Sequence, residues 1–466
     1  RIRRCVVDDH LTFDEAIEAT RPAQLFTTHT PVPAGIDRFP RELVERYFSG
    51  WAGECGVTID TLMALGHEPG TPPGVTLNLA AMSLRLAGGA NGVSRLHGDV
   101  SRRMFAGLWP DAPVEDVPIG SVTNGVHAPG WVSREIADLL ERTVGNDWPE
   151  APPERWAPLE DLPDEELWAI RRTQRERLVQ FARRRVRAGL LARGLSEQET
   201  EWCEEILDPG ILTIGFARRF APYKRATLVL RDRARLLDLL TAKKRPVQII
   251  FAGKAHPADD PGKELLRTVA QLAMEVEWRN RFVFIEDYDM GVGRALVRGV
   301  DLWLNTPRRP LEACGTSGMK VALNGALNCS TLDGWWAELY DNAVGWSIPS
   351  QEWIGDLDAR DAAESAALMA ILEDEIVPAF YDRDDSGVPR EWVRRSKASL
   401  ARLGPELCAT RMLREYVDDW YVPARNRARE VTRDGFQRAR ELVQWRDRIE
   451  KCWPGVAVRA VAHDEH

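Results

Sequence analysis

Between residues 211 and 304 the chain keeps the rhythm of a parallel α/β sheet. Short apolar runs at 211–217, 247–252, 282–285 and 300–304 are flanked by Gly, Pro and charged residues. Such near-continuous hydrophobicity marks strands covered on both faces. Residues 226–243 separate the first two runs, with Leu228, Leu230, Leu236, Leu237, Leu239 and Leu240 forming an apolar stripe among Arg and Asp. Residues 261–277 separate the second and third and open on Pro261, suited to a first helical turn. Strand–helix–strand repetition predicts an α/β fold with a doubly wound parallel sheet, whose ligands bind beyond the carboxyl ends of the strands.

At 466 residues the chain exceeds what one core usually organises, so two domains are expected. Residues 1–119 read as helices and irregular loops without a complete strand set, part of a domain rather than a whole one. Residues 120–424 carry the sheet. Within them the Pro- and Trp-rich stretch 146–163 reads as a linker or surface excursion. Residues 164–191 read as one long helix opened by acidic residues that suit its N-terminus. Residues 425–466 read as a charged helical tail. Hydrophobic residues at 44% and charged residues at 29% fit a globular chain. No apolar run approaches the roughly 18 residues of a membrane span. The net charge of −9 argues against a nucleic-acid partner, so Arg183, Arg184 and Arg185 are expected to form a solvated helix face. Seven scattered cysteines without a Cys-x-x-Cys pair suit a reducing cytoplasm and exclude a zinc cluster, and no His/Asp/Glu spacing predicts a metal. The chain opens on Arg1 with no initiator Met, and is read as a fragment.

Two motifs carry chemistry. In LEACGTSGMKVALNGALNCSTLDG, Gly315, Thr316, Ser317 and Gly318 precede a helix-forming run from Met319 to Leu327. Converging N–H groups and a helix N-terminus favour an anion such as phosphate. Lys320 follows among Met319, Val321, Ala322 and Leu323; an amine desolvated in this way loses proton affinity, as imine formation with an aldehyde cofactor requires. Taken locally, the same residues also fit an ordinary βα turn with a solvent-facing lysine. In GFARRFAPYKR, Arg218, Arg219, Lys224 and Arg225 share a loop after the strand at 211, where their mutual repulsion is relieved by one or two phosphate groups or by solvent. Together the two loops suggest a cofactor phosphate beside a substrate phosphate, and pyridoxal phosphate has the required aldehyde and phosphate. Asn124 and His127 on a turn, Asn91 with Arg95 and His97, and the loop of His29 offer hydroxyl-binding groups, although a lone histidine is more often structural. Trp335 and Trp336 are expected in the core rather than stacked on a sugar.

These residues resemble the α-glucan (glycogen, starch or maltodextrin) phosphorylases. The likeness runs through GVSRLHGDVSRRMF, VTNGVH, GFARRFAPYKR, FAGKAHP, EACGTSGMK and LNGALNCSTLDGWW over most of residues 25–425, and FTTHTPVPAGID with DGWW is similar to the shorter bacterial and archaeal branch. The resemblance implies two Rossmann-like domains facing across a cleft, a GT-B-like fold whose first domain is largely missing here. It implies pyridoxal 5'-phosphate carried by Lys320, with Gly315, Thr316, Ser317 and Arg218 at its phosphate and Tyr288 and Trp131 lining it. It assigns Arg219 and Lys224 to the substrate phosphate, and Glu312, Asn124 and His29 to the reacting glucose. The reaction implied is transfer of a terminal α-1,4-linked glucosyl unit to inorganic phosphate, giving glucose 1-phosphate with retention, in a cytoplasmic enzyme that is a homodimer at full length. Gly88 and Ala221 stand where family members of other branches carry histidines, and a glycine-rich phosphate loop would precede Arg1. Two rivals are a nucleotide-sugar glycosyltransferase of glycogen-synthase type and an inactive fragment that binds cofactor or glucan.

Overall fold

The computed structural model describes residues 1–457, which form two compact units: residues 1–92, 98–121 and 414 onward, and residues 93–97 with 122–413. In the first unit, strands β1 (Leu25–Thr27), β4 (Gly89–Gly92) and β5 (Ile119–Ser121) make a parallel sheet in the order β1-β4-β5. Strands β2 (Arg38–Pro40) and β3 (Thr76–Asn78) pair antiparallel. The segment expected as a separate tail returns to this unit. Its helix Val422–Cys452, broken at Arg433, Asp434, Gly435 and Phe436, places Val431 and Ala439 against Leu11, Ala16 and Ala19. Its last expected residues, 458–466, lie outside the described ones.

The second unit is built on six parallel strands: β6 (Leu212–Ala217), β7 (Val247–Ala252), β8 (Phe282–Ile285), β9 (Leu302–Asn305), β10 (Leu327–Thr331) and β11 (Gly345–Ile348). Their order, β11-β10-β9-β6-β7-β8, is that of a doubly wound sheet with its switch point between β6 and β9. The two-residue period of a strand sends alternate side chains to opposite layers. Val247, Ile249 and Phe251 enter one buried cluster, and Ile250 and Ala252 enter the other. Helices Arg233–Thr241 and Asp260–Leu272 cover the first layer, while Asp164–Ala192 and Met290–Gly299 cover the second.

Three expectations are corrected. The helix-forming run after Ser317 ends at Ala322; Gly325, at φ +74°, turns the chain, and the residues from Leu327 become β10. The stretch 226–243 is not continuous helix, because the Asp232 side chain accepts from the Arg235 amide and starts a new one. Residues 146–163, read as a linker or surface excursion, are mostly exposed but anchored by buried side chains. Trp148, Trp156 and Leu159 are buried in the core, with the two indole rings 5.9 Å apart edge to face, so the bulky residues are held by their own apolar area. The Arg183 guanidinium donates to the Ile206 and Leu207 carbonyls, which ties that part of the basic run to the protein itself. Among the described residues no helix is long and apolar enough to cross a membrane.

Candidate functional site

Loops beyond the carboxyl ends of the second unit's strands carry Arg218, Arg219, Lys224, Tyr288 and Glu312, where a doubly wound sheet binds ligands. Arg218 follows β6, Asn305 ends β9, and the segment after β9 leads to Glu312. Arg218 donates to Asn305 Oδ1 and to Glu312 Oε2, and its Nε is buried with no partner. Lys224 Nζ donates to both Glu312 oxygens, at 3.1 and 3.3 Å. All three side chains are almost wholly buried. Burial alone would raise the Glu312 pKa, but Arg218 and Lys224 outweigh it and hold the carboxyl below its ordinary value. Burial, reinforced by Arg218, pushes the Lys224 ammonium down to about 8 against the pull of Glu312. A carboxylate flanked by two cations in little water is an electrostatic device for gripping hydroxyls and anions together.

Arg219 is exposed and acts on the buried Tyr223 hydroxyl. Arg225 departs from the expected anion loop. Its backbone is left-handed at φ +49°, and its buried guanidinium pairs with Asp361 at 2.8 Å and Glu364 at 2.6 Å. It also donates to the Thr306 and Pro307 carbonyls, so its charge is neutralised inside the protein and the loop keeps three cations rather than four.

Lys320 lies on the helix Thr316–Ala322, whose cap is Gly315 at φ +86°. That left-handed position favours glycine. Lys320 Nζ sits 3.6 Å from the centroid of the Trp131 ring, and burial lowers its pKa. Trp131 and Tyr288 pack against the same apolar cluster as Val321 of the lysine helix, and Tyr288 follows β8. The Ser317 hydroxyl accepts from Trp303 Nε1 at 3.2 Å, while Thr316 is half-buried beside it. Gly315 joins the two halves of the site, for a Cβ there would lie 3.5 Å from Glu312 Cγ.

Asn124 is half-buried on a loop of the same unit, with its amide bonded to the Val93 carbonyl and close to the buried Cys314 thiol. His127 is exposed and accepts from the Gly130 amide. His29 belongs to the first unit, exposed on the loop after β1. Trp335 and Trp336 are buried, which makes them packing residues as expected. Two residues escaped notice in the sequence: Asn305, a polar end to an apolar strand, and Asp333, hidden in a Leu-Asp-Gly turn. A polar residue closing an apolar run was the available signal for the first.

A buried cation–carboxylate cluster and a glycine-capped lysine helix on a doubly wound sheet define an α/β protein equipped for phosphate-bearing ligands. A family model described as carbohydrate phosphorylase matches residues 72–346, and the chain belongs to that family. It is 47% identical to a "Glycogen phosphorylase" of Mycobacterium bovis over 99% of this chain and 54% of that protein. It is 38% identical to a "Maltodextrin phosphorylase" of Thermococcus litoralis over 98% of this chain and 53% of that protein. It is 40% identical to a "Glycogen phosphorylase" of Aquifex aeolicus over 88% of this chain and 59% of that protein. The chain thus spans little more than half the length of the curated relatives it matches.

Proposed function

We propose that the chain carries the cofactor-binding half of an α-1,4-glucan phosphorylase, which transfers a terminal glucosyl unit to inorganic phosphate and yields glucose 1-phosphate with retention. The observation that carries this reading is the junction at Gly315 between the Lys320 helix and the Arg218–Glu312–Lys224 cluster. The residues present fit pyridoxal 5'-phosphate. Lys320 offers a half-buried amine shifted toward its neutral form, and Arg218 Nε offers a buried donor without a partner. Lys320 would hold the group, with Gly315, Thr316, Ser317 and Arg218 at its phosphate and Trp131 and Tyr288 against its ring. When bound, it supplies a second phosphate able to exchange a proton with the substrate phosphate.

The protein's own part is positioning and charge. Arg219 and Lys224 draw the substrate phosphate in, and Lys224 supplies charge while protonated, below about pH 8. Glu312 and Asn124 hold glucose hydroxyls. Holding two mutually repelling anions beside a sugar replaces the paired carboxylates of ordinary glycosidases. The second unit, residues 93–97 with 122–413, would act as the cofactor domain and the first unit as the remainder of an N-terminal domain, in a GT-B-like enzyme that is cytoplasmic and homodimeric. The free, mostly buried cysteines support a reducing compartment.

The test is borohydride reduction of the chain in the presence of pyridoxal phosphate, followed by peptide mass mapping. Modification at Lys320, lost in Lys320→Arg together with phosphorolysis by the full-length enzyme, is expected. Full turnover by Lys320→Arg, or an unmodified Lys320, overturns the reading and favours the nucleotide-sugar transferase.

A further inference from the structure

The segment that delivers Glu312 is held at successive peptide groups. The Ser94 hydroxyl donates to the Ala313 carbonyl at 2.7 Å, and the Trp335 amide donates to the Cys314 carbonyl at 3.0 Å. The third hold is a carboxyl group. Asp333 Oδ2 accepts from the Glu312 amide at 3.0 Å and Oδ1 from the Gly334 amide at 2.9 Å, while the residue is 1% exposed and forms no ion pair among the described residues. A buried acid next to another carboxyl is costly to the fold. What such a residue alone provides is two acceptor oxygens aimed at two amides, one of which belongs to Glu312.

We propose that Asp333 is a positioning residue: by gripping the Glu312 and Gly334 amides together it fixes Glu312 between Arg218 and Lys224, and so sets the charge balance of the phosphate-gripping pair. Burial pushes the Asp333 carboxyl up to about 7 against the Glu312 and Gly334 amides, which favour its charged form; the Glu312 charge acts with burial and Arg309 against it. The ionised carboxylate presents both oxygens as acceptors to the two amides, at the cost of repulsion from Glu312. An asparagine would present its NH2 to one of the two amides and lose that hold. The catalytic meaning of this role rests on the phosphorylase reading; the link from Asp333 to Lys224 does not.

Competitive acylation of lysines near neutral pH, quantified by peptide mass spectrometry, tests the link without substrate or cofactor. Lys397 serves as the internal reference, because it pairs with Asp164 at 2.7 Å and donates to the Leu162 carbonyl, in the same unit. In Asp333→Asn the loosened Glu312 supports the Lys224 ammonium less. Lys224 should then label about threefold faster or more, the effect of a half-unit fall in its pKa, with Lys397 unchanged. In a Glu312→Gln background the same substitution should add nothing. Asp333→Ser, which keeps one acceptor, gives the same readout if the asparagine variant does not fold. Unchanged or slower labelling of Lys224 overturns the proposal. So does a parallel rise at Lys397, which would mark Asp333 as a general support of the fold. Failure of the phosphorylase reading would instead appear as absent turnover with the labelling pattern intact.

Discussion

Glu312 is the residue on which the site's charges converge, and its neighbours explain why a carboxylate survives there in ionised form. Two cations at hydrogen-bond distance outweigh a desolvation that would otherwise protonate it. Asp333, hydrogen-bonded to the Glu312 amide, has no such pairing among the described residues, and its pKa is raised from 3.8 to about 7. A group whose folded pKa lies above its unfolded one stabilises fully at low pH, and that contribution is lost as pH rises through the folded value. Wild type should therefore lose stability relative to Asp333→Asn between about pH 4 and pH 7. Thermal melts of the two proteins across that window should converge or cross, and parallel curves would refute the assignment. Lys224 has the opposite linkage. Its pKa falls from 10.5 to about 8, so the unfolded chain binds more protons in between and stability should rise with pH over that interval. Lys224→Met should remove that rise in urea titrations.

At the scale of the element, the short helix Thr316–Ala322 matters most, since its cap both starts the lysine helix and lies against Glu312. Gly315→Ala forces an L-residue into the left-handed region, at about 1–2 kcal/mol. Gly315→Asn should be better tolerated, since asparagine visits that region more readily. Urea denaturation should rank the variants in that order, and phosphorolysis by the full-length enzyme should fall in the same order. The motif made this helix visible in the sequence but not its end. Local propensity ran on to Leu327, whereas the chain turns at Gly325 and Leu327 is already paired with Leu302 of β9. Ladder pairing with strands distant in the chain is a tertiary gain that overrides a helix propensity of tenths of a kcal/mol per residue.

For the whole molecule, the 17 tryptophans pose the question of packing against ligand stacking. Trp156 is fully buried, and Trp156→Ala should cost about 3–5 kcal/mol by leaving a cavity. Trp353 is 77% exposed, and its alanine variant should stay within about 0.5 kcal/mol of wild type. Chemical denaturation separates the two. From its sequence alone this protein was determined as an α/β chain whose middle forms parallel strands, with the cations of 218–225 and Lys320 at strand and helix ends. Those features are local, written in apolar period, glycines and caps. Only the tertiary structure decided that Arg225 is consumed by Asp361 and Glu364, that Trp148, Trp156 and Leu159 anchor the stretch 146–163 in the core, that residues 414–457 rejoin the first unit, and that Asp333 holds Glu312. Each of these depends on which charge or apolar surface meets another from a distant part of the chain, and on the water lost when they meet. Neither spacing nor composition encodes that encounter.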